Sequence, residues 1–203
     1  MTGWGRSQRA VLSVGVGLLV VSMAACGSAP AKIPAASGSP SATPTSIAPG
    51  LSVSPAQLTL PPFTVSTTNP LPSGVSAKQV VRDVVIDNLI ENAALERGDT
   101  ALLAYSDTGA RLVSERQEVN SDTSGDIRVV GISDNITSIQ LGSKQDPNDS
   151  AAQTAAIVKG NELEQQRKGT APISRTSQAF QVLLWVVWSP SQAKYLLCDT
   201  ADS

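Results

Sequence analysis

The chain has 203 residues and a mass of 21.0 kDa, with 41% apolar, 16% charged and 3% aromatic residues and a formal net charge of −2. It holds no histidine and two cysteines, Cys26 and Cys198. That excludes Ser-His-Asp and Cys-His triads, histidine metal ligands, a zinc cluster and a disulfide scaffold. The length allows one domain with an extension, or two small domains.

Arg6 and Arg9 precede an apolar run from Ala10 to Val21, broken only by Ser13, Gly15 and Gly17, and then Ser22-Met23-Ala24-Ala25-Cys26-Gly27. Basic, apolar and small-residue regions in that order form the layout of an export signal. The run falls short of the ~20 residues of a spanning helix; a membrane-spanning anchor or an ordinary cleaved signal are the alternatives. Small residues directly before a cysteine resemble the bacterial lipobox, with Met23 where leucine is usual. The resemblance implies that residues 1–25 are a lipoprotein signal peptide. Cys26 would be diacylated on sulfur, as by palmitate, and become the mature N-terminus. The protein would then be tethered to the cell membrane on its extracytoplasmic face without spanning it.

Residues 26–75 are expected to be a disordered tether. From 27 to 75 the chain carries 10 of its 13 prolines, 15 Ser or Thr and a single charge, Lys32. Such a composition buries too little apolar surface to offset ordering entropy. Within it, Leu51 to Val65 offers a different reading: Leu58, Leu60, Phe63 and Val65 suit a short edge strand or an apolar strap on the folded domain, although Pro61 and Pro62 bar a central strand.

Residues 76–203 read as the folded domain. All 17 acidic residues lie after position 82, against 12 Lys and Arg from Ser76 onward. That balance suggests a solvated acidic surface and no nucleic-acid footprint. Ser76-Ala77-Lys78-Gln79 reads as a capping box. Val81, Val84, Val85, Leu89 and Ala93 continue at helical spacing to a stop at Gly98. Asp99 caps a short helix through Leu102, Leu103 and Tyr105, and Ala110 to Val119 is a third helical piece. Ile127 to Ile132 and Ile136 to Leu141 read as two strands around an Asp134-Asn135 turn. Ala151 to Arg167 reads as a long strand, with helix as the alternative. Phe180 to Trp188 and Lys194 to Cys198 form a closing hairpin around Ser189-Pro190-Ser191-Gln192. Helices followed by a meander predict an α+β domain, one long helix packed on an antiparallel sheet.

The long helix, then Ala94-Leu95-Glu96-Arg97-Gly98-Asp99-Thr100-Ala101-Leu102-Leu103, then a meander with an aromatic hairpin, resembles a nuclear-transport-factor-2-like (cystatin-like) domain. The resemblance implies a sheet curved around the long helix into a cone. Together with the lipobox and the Pro/Ser/Thr/Ala-rich stretch, the whole resembles small lipoproteins of high-GC Gram-positive (actinobacterial) origin. Catalytic positions of enzymes with this fold find no matching motif here.

Other patterns carry little chemistry. Ser191-Gln192-Ala193-Lys194 matches Ser-x-x-Lys but sits in a hairpin turn without partner motifs. Asp146, Asn148 and Asp149 lack the spacing of a calcium loop. Asp83, Asp87 and Glu91 share one helix flank opposite the Val81–Val85–Leu89 stripe, so a solvated face is expected; Glu162 and Glu164 are likewise expected to face solvent. Cys198 reads as a buried, inert thiol. Trp185 and Trp188, three apart on a strand, point to opposite faces. Leu183 and Val187 lie with Trp185, and Val182, Leu184 and Val186 with Trp188. Both faces are apolar, so the helix covers one, and a dimer mate, the 51–65 strap or a partner covers the other. Trp185, Trp188 and Tyr195 are the candidate partner or pocket surface. The expectation is a non-enzymatic envelope interaction module with no cofactor, anchored to the membrane and meeting an envelope protein or a second copy. A carrier of a small apolar ligand in the cone is the alternative, and an isomerase- or dehydratase-type enzyme a third.

Overall fold

A computed structural model describes residues 45–53, 63–124 and 127–202. The signal peptide, Cys26, and Leu58 and Leu60 of the strap lie outside the described residues. The order is β1 (Thr45–Ala48), β2 (Leu51–Val53), β3 (Thr64–Thr67), α1 (Ala77–Arg97), a 3₁₀ turn (Leu102–Tyr105), α2 (Gly109–Ser124), β4 (Ile127–Ser143), β5 (Thr154–Lys168), β6 (Ser174–Ser189) and β7 (Lys194–Asp202). β1 and β2 form a separate hairpin, and the main sheet runs β3-β4-β5-β6-β7. The chain is therefore an α+β protein with helices packed on a mixed sheet: β4 to β7 are an antiparallel meander, and β3 adds parallel to β4. No helix among the described residues is long and apolar enough to cross a membrane.

The ends of α1 follow local chemistry. The Ser76 hydroxyl accepts the Gln79 N–H at 3.4 Å, and Gly98 takes the left-handed conformation at φ 65° that releases the chain. Three expectations need correction. Residues 127–141 are not two strands around a turn: Asp134 and Asn135 pair with Glu162 and Asn161 inside one long β4, and the irregularity is taken up by bulges at Val129/Gly131 and Ile136/Ser138. The sheet is not wholly antiparallel. The stretch 26–75 is not a bare tether either, because Thr45–Ala48, Leu51–Val53 and Thr64–Thr67 are strands. Ile47, Ala48 and Leu51 pack on Ile86, Ile90 and Ala94 of α1, and Phe63 packs at the edge of the main core. Those apolar side chains find a surface that composition alone does not reveal.

The core has three parts. Val80, Val81, Val84 and Val85 of α1 meet Ile139, Leu141, Val158, Phe180, Val182, Leu184 and Leu197 of the sheet. The back of α1 is covered by the β1–β2 hairpin, the 3₁₀ turn and Val119. On the outer sheet face Leu183, Trp185 and Cys198 pack under Ala152. There the cover is the β4–β5 connection, residues 144–153, tied down where Asn148 Nδ2 donates to Asp199 Oδ2 at 2.7 Å. Leu51 and Phe63, described near the two ends of the 51–65 stretch, pack on the helix side of the sheet.

Candidate functional site: a buried carboxylate stripe and an exposed aromatic corner

α1 is enclosed on nearly every side, so its acidic flank is not solvated. Asp83, Asp87 and Glu91 are 5%, 1% and 0% exposed. The apolar residues beside them, Ile86 and Ile90, belong to the rear core, which gives the helix an apolar surface all round. The acids meet β7, the 102–108 segment and α2. The Tyr195 N–H donates to Asp83 Oδ2 at 2.9 Å, and Lys194 Nζ donates to Asp87 Oδ1 and, at 2.7 Å, to the Tyr105 carbonyl.

Deeper in, Arg111 holds Glu91 in a two-pronged pair, Nε to Oε1 at 2.7 Å and Nη2 to Oε2 at 2.8 Å. Asp107 and Glu115, one turn either side of Arg111 on the chain, stand 3.3 and 3.4 Å from its guanidinium. Ser106 Oγ donates to Asp107 Oδ2 at 2.9 Å. Backbone bonds then lock the segment to β7: Leu197 N–H donates to the Ser106 carbonyl and Thr108 N–H to the Leu197 carbonyl. Four carboxylates, those of Asp87, Glu91, Asp107 and Glu115, thus share two cations, Lys194 and Arg111.

Burial first, and that excess of negative charge second, set the protonation pattern. Burial, followed by the Glu91 carboxylate, pushes Asp107 well above the usual carboxylate range, with Arg111 acting the other way. Burial raises Asp87 as well, against the pull of Lys194, and raises Asp83 against the Tyr195 N–H bond. Burial lowers Arg111, but the carboxylates of Glu91, Glu115 and Asp107 outweigh it and hold the guanidinium above its ordinary value. The cluster fixes charges and protons between protein groups.

Glu162 and Glu164 are also buried, at 1% and 6% exposure, which corrects the solvent-facing expectation. They continue the inward row of Ala156, Val158 and Gly160 on β5. Gln178 Nε2 donates to Glu162 at 3.1 Å, Gln166 Nε2 to Glu164 at 2.7 Å, and Asn92 Nδ2 to the neighbouring Asp134 at 2.9 Å. Polar partners on β5 itself and on β6 make the inward position of the two glutamates tolerable.

The three aromatic candidates do not converge. Trp185 is buried on the outer face beneath Lys144, whose Nζ lies 5.3 Å from the ring centre, so it is no partner surface. Trp188 and Tyr195 do meet, edge to face at 5.2 Å, and Trp188 remains 43% exposed. Tyr105, read from the sequence only as part of a short helix, is 38% exposed, and its carbonyl is the one bound by Lys194. A surface groove beside it is lined by Pro49, Ala101, Leu102, Ala104 and Gln192. Lys194 of the Ser-x-x-Lys pattern is engaged by Asp87, while Ser191 Oγ lies 3.2 Å from Ser189 Oγ. Asp146 and Asp149 accept the N–H groups of Asn148 and Ala151 as turn residues. Cys198 is buried against the Trp185 carbonyl; burial and then Asp146 push its thiol up to about 12.

No family model matches the chain, and no curated protein does. Among solved structures, the intermembrane space region of the chloroplast protein ARC6 is 11% identical with a TM-score of 0.47, the match covering 66% of this chain and 98% of that one. So loose a likeness carries no property across.

Proposed function

We propose that this chain is a lipid-anchored cell-envelope protein whose folded part, a nuclear-transport-factor-2-like domain, is a non-enzymatic interaction module. The anchor is Cys26, read from the basic, apolar and small-residue order before it. The observation that carries the module reading is Trp188, a large aromatic left 43% exposed and braced by Tyr195 at the end where Tyr105 also emerges. Exposed tryptophan and tyrosine are the side chains that most often anchor a partner. The titratable groups of the interior fit a structural role, because they are engaged by one another or by the backbone.

Two measurements test this. Cys26→Ser is expected to move the protein from the membrane fraction to the soluble extracytoplasmic fraction. A photoreactive side chain at position 188 is expected to give an adduct in intact cells, and one at Lys159, exposed on the other sheet face, none. Persistent membrane association of the Cys26→Ser chain would overturn the anchor, and equal labelling from both positions would overturn the module.

A further inference from the structure

We propose that the corner formed by the β6–β7 hairpin, the first turns of α1 and Tyr105 docks on an anionic lipid surface, the bilayer that holds the Cys26 anchor. This rests on the lipid-anchored reading above and adds which face turns to the membrane.

The hairpin tip, Ser189 to Ala193, is uncharged, and Gln79 Nε2 donates to the Ala193 carbonyl, pinning the tip to the first turn of α1. That part of the helix exposes two cations, Lys78 and Arg82. The carboxylates nearby in sequence, Asp83 and Asp87, are buried and taken up by Tyr195 N–H and Lys194, so residues 76–88 and 186–198 expose no carboxylate. Asp99, an exposed carboxylate in the groove beside Tyr105, accepts the Ala101 N–H. Two half-exposed aromatics beside two exposed cations suit the headgroup layer, where indole and phenol rings settle between wet and apolar surroundings. Each cation near an anionic leaflet strengthens association about fivefold.

The chain geometry agrees. The β1–β2 hairpin packs on α1, so the anchor-to-domain span ends at Thr45 and not at residue 75. At most about 65 Å of extended chain then separates Cys26 from the domain. Pro49, in the turn of that hairpin, borders the Tyr105 groove at the docking end.

The test uses lipidated protein extracted from cells and reconstituted into vesicles, either phosphatidylglycerol with phosphatidylcholine or phosphatidylcholine alone. Brominated acyl chains are expected to quench tryptophan emission in the anionic vesicles. Trp188→Phe is expected to abolish the quenching, and Lys78→Glu with Arg82→Glu to reduce it at least fivefold, while the protein still sediments with the vesicles. Protein that sediments but shows only aqueous quenching of Trp188 would overturn docking and leave the anchor standing. Protein that fails to sediment would overturn the anchor and the docking with it. Equal quenching in neutral vesicles would overturn the anionic preference, and a position-188 crosslink to an envelope protein in place of lipid would overturn the membrane as partner.

Discussion

Arg111 is the residue on which the interior depends. Its guanidinium sits at 0% exposure among Glu91, Asp107 and Glu115. Removing one partner of a buried ion pair costs about 3–5 kcal/mol, because the remaining charge stays desolvated. Arg111→Met is therefore expected to lower unfolding free energy by roughly that amount in urea titrations. Arg111→Lys should recover only part of it, since an ammonium cannot present the planar fork that Glu91 receives. Asp107 supplies a test with a sign. Its native proton affinity lies above the ordinary 3.8. The folded state thus binds this proton more tightly than the unfolded state. The stability it contributes is full below 3.8 and falls as pH rises through the native value. Asp107→Asn stays neutral throughout. Its stability relative to wild type is expected to rise with pH across that interval, measured as paired urea midpoints. Parallel curves would show that Asp107 ionises normally. Cys198, with its thiol pushed up to about 12, should resist thiol reagents at neutral pH until the chain is unfolded.

Among the elements, the β1–β2 hairpin and β3 decide where the domain begins. Removing residues 27–44 is expected to leave the thermal midpoint unchanged. Removing residues 27–75 takes away Ala48, Val53 and Phe63. Losing about 3 kcal/mol of apolar burial lowers the midpoint by roughly 10 °C. Equal midpoints for the two deletions would return residues 45–75 to the tether. The sheet has its own sensitive point at Gly160, where an added Cβ would lie 2.6 Å from the Asn135 carbonyl and 2.7 Å from the Phe180 ring. Gly160→Ala is expected to cost about 1–3 kcal/mol by overpacking. Elements governed by near neighbours were legible in the sequence: the Ser76 cap and Gly98 stop bound α1, and the run from Phe180 to Trp188 marks β6. Elements decided by distant partners were not. β4 continues through Asp134-Asn135 because β5 supplies bonds to both, and α1 buries its acids because Arg111 and Lys194 arrive from 20 and 107 residues away. Ile86 and Ile90, beside the acidic flank, were the available signal that α1 is apolar all round.

For the molecule as a whole, the main consequence is where its charge lies. Among the described residues, eight acidic side chains, Asp83, Asp87, Glu91, Asp107, Glu115, Asp146, Glu162 and Glu164, are buried, but only one basic side chain, Arg111. Among the described side chains, seven acidic groups against eleven basic ones reach solvent. Among the described residues, a composition that reads as an acidic surface thus folds into an acidic interior under a mildly basic exterior, so net charge alone misreads the surface. The exposed tryptophan was half legible. Strand alternation placed Trp185 and Trp188 on opposite faces, but not the 144–153 connection that covers one of them. The most direct measurement of the proposed module is native mass spectrometry of the protein purified from cells in mild detergent. The expected mass is residues 26–203 with acyl chains on Cys26 and nothing further bound. A releasable companion of roughly a few hundred daltons, the scale of a ligand held in an interior pocket, would show that the domain works through its inside and contradict a module that acts through its surface.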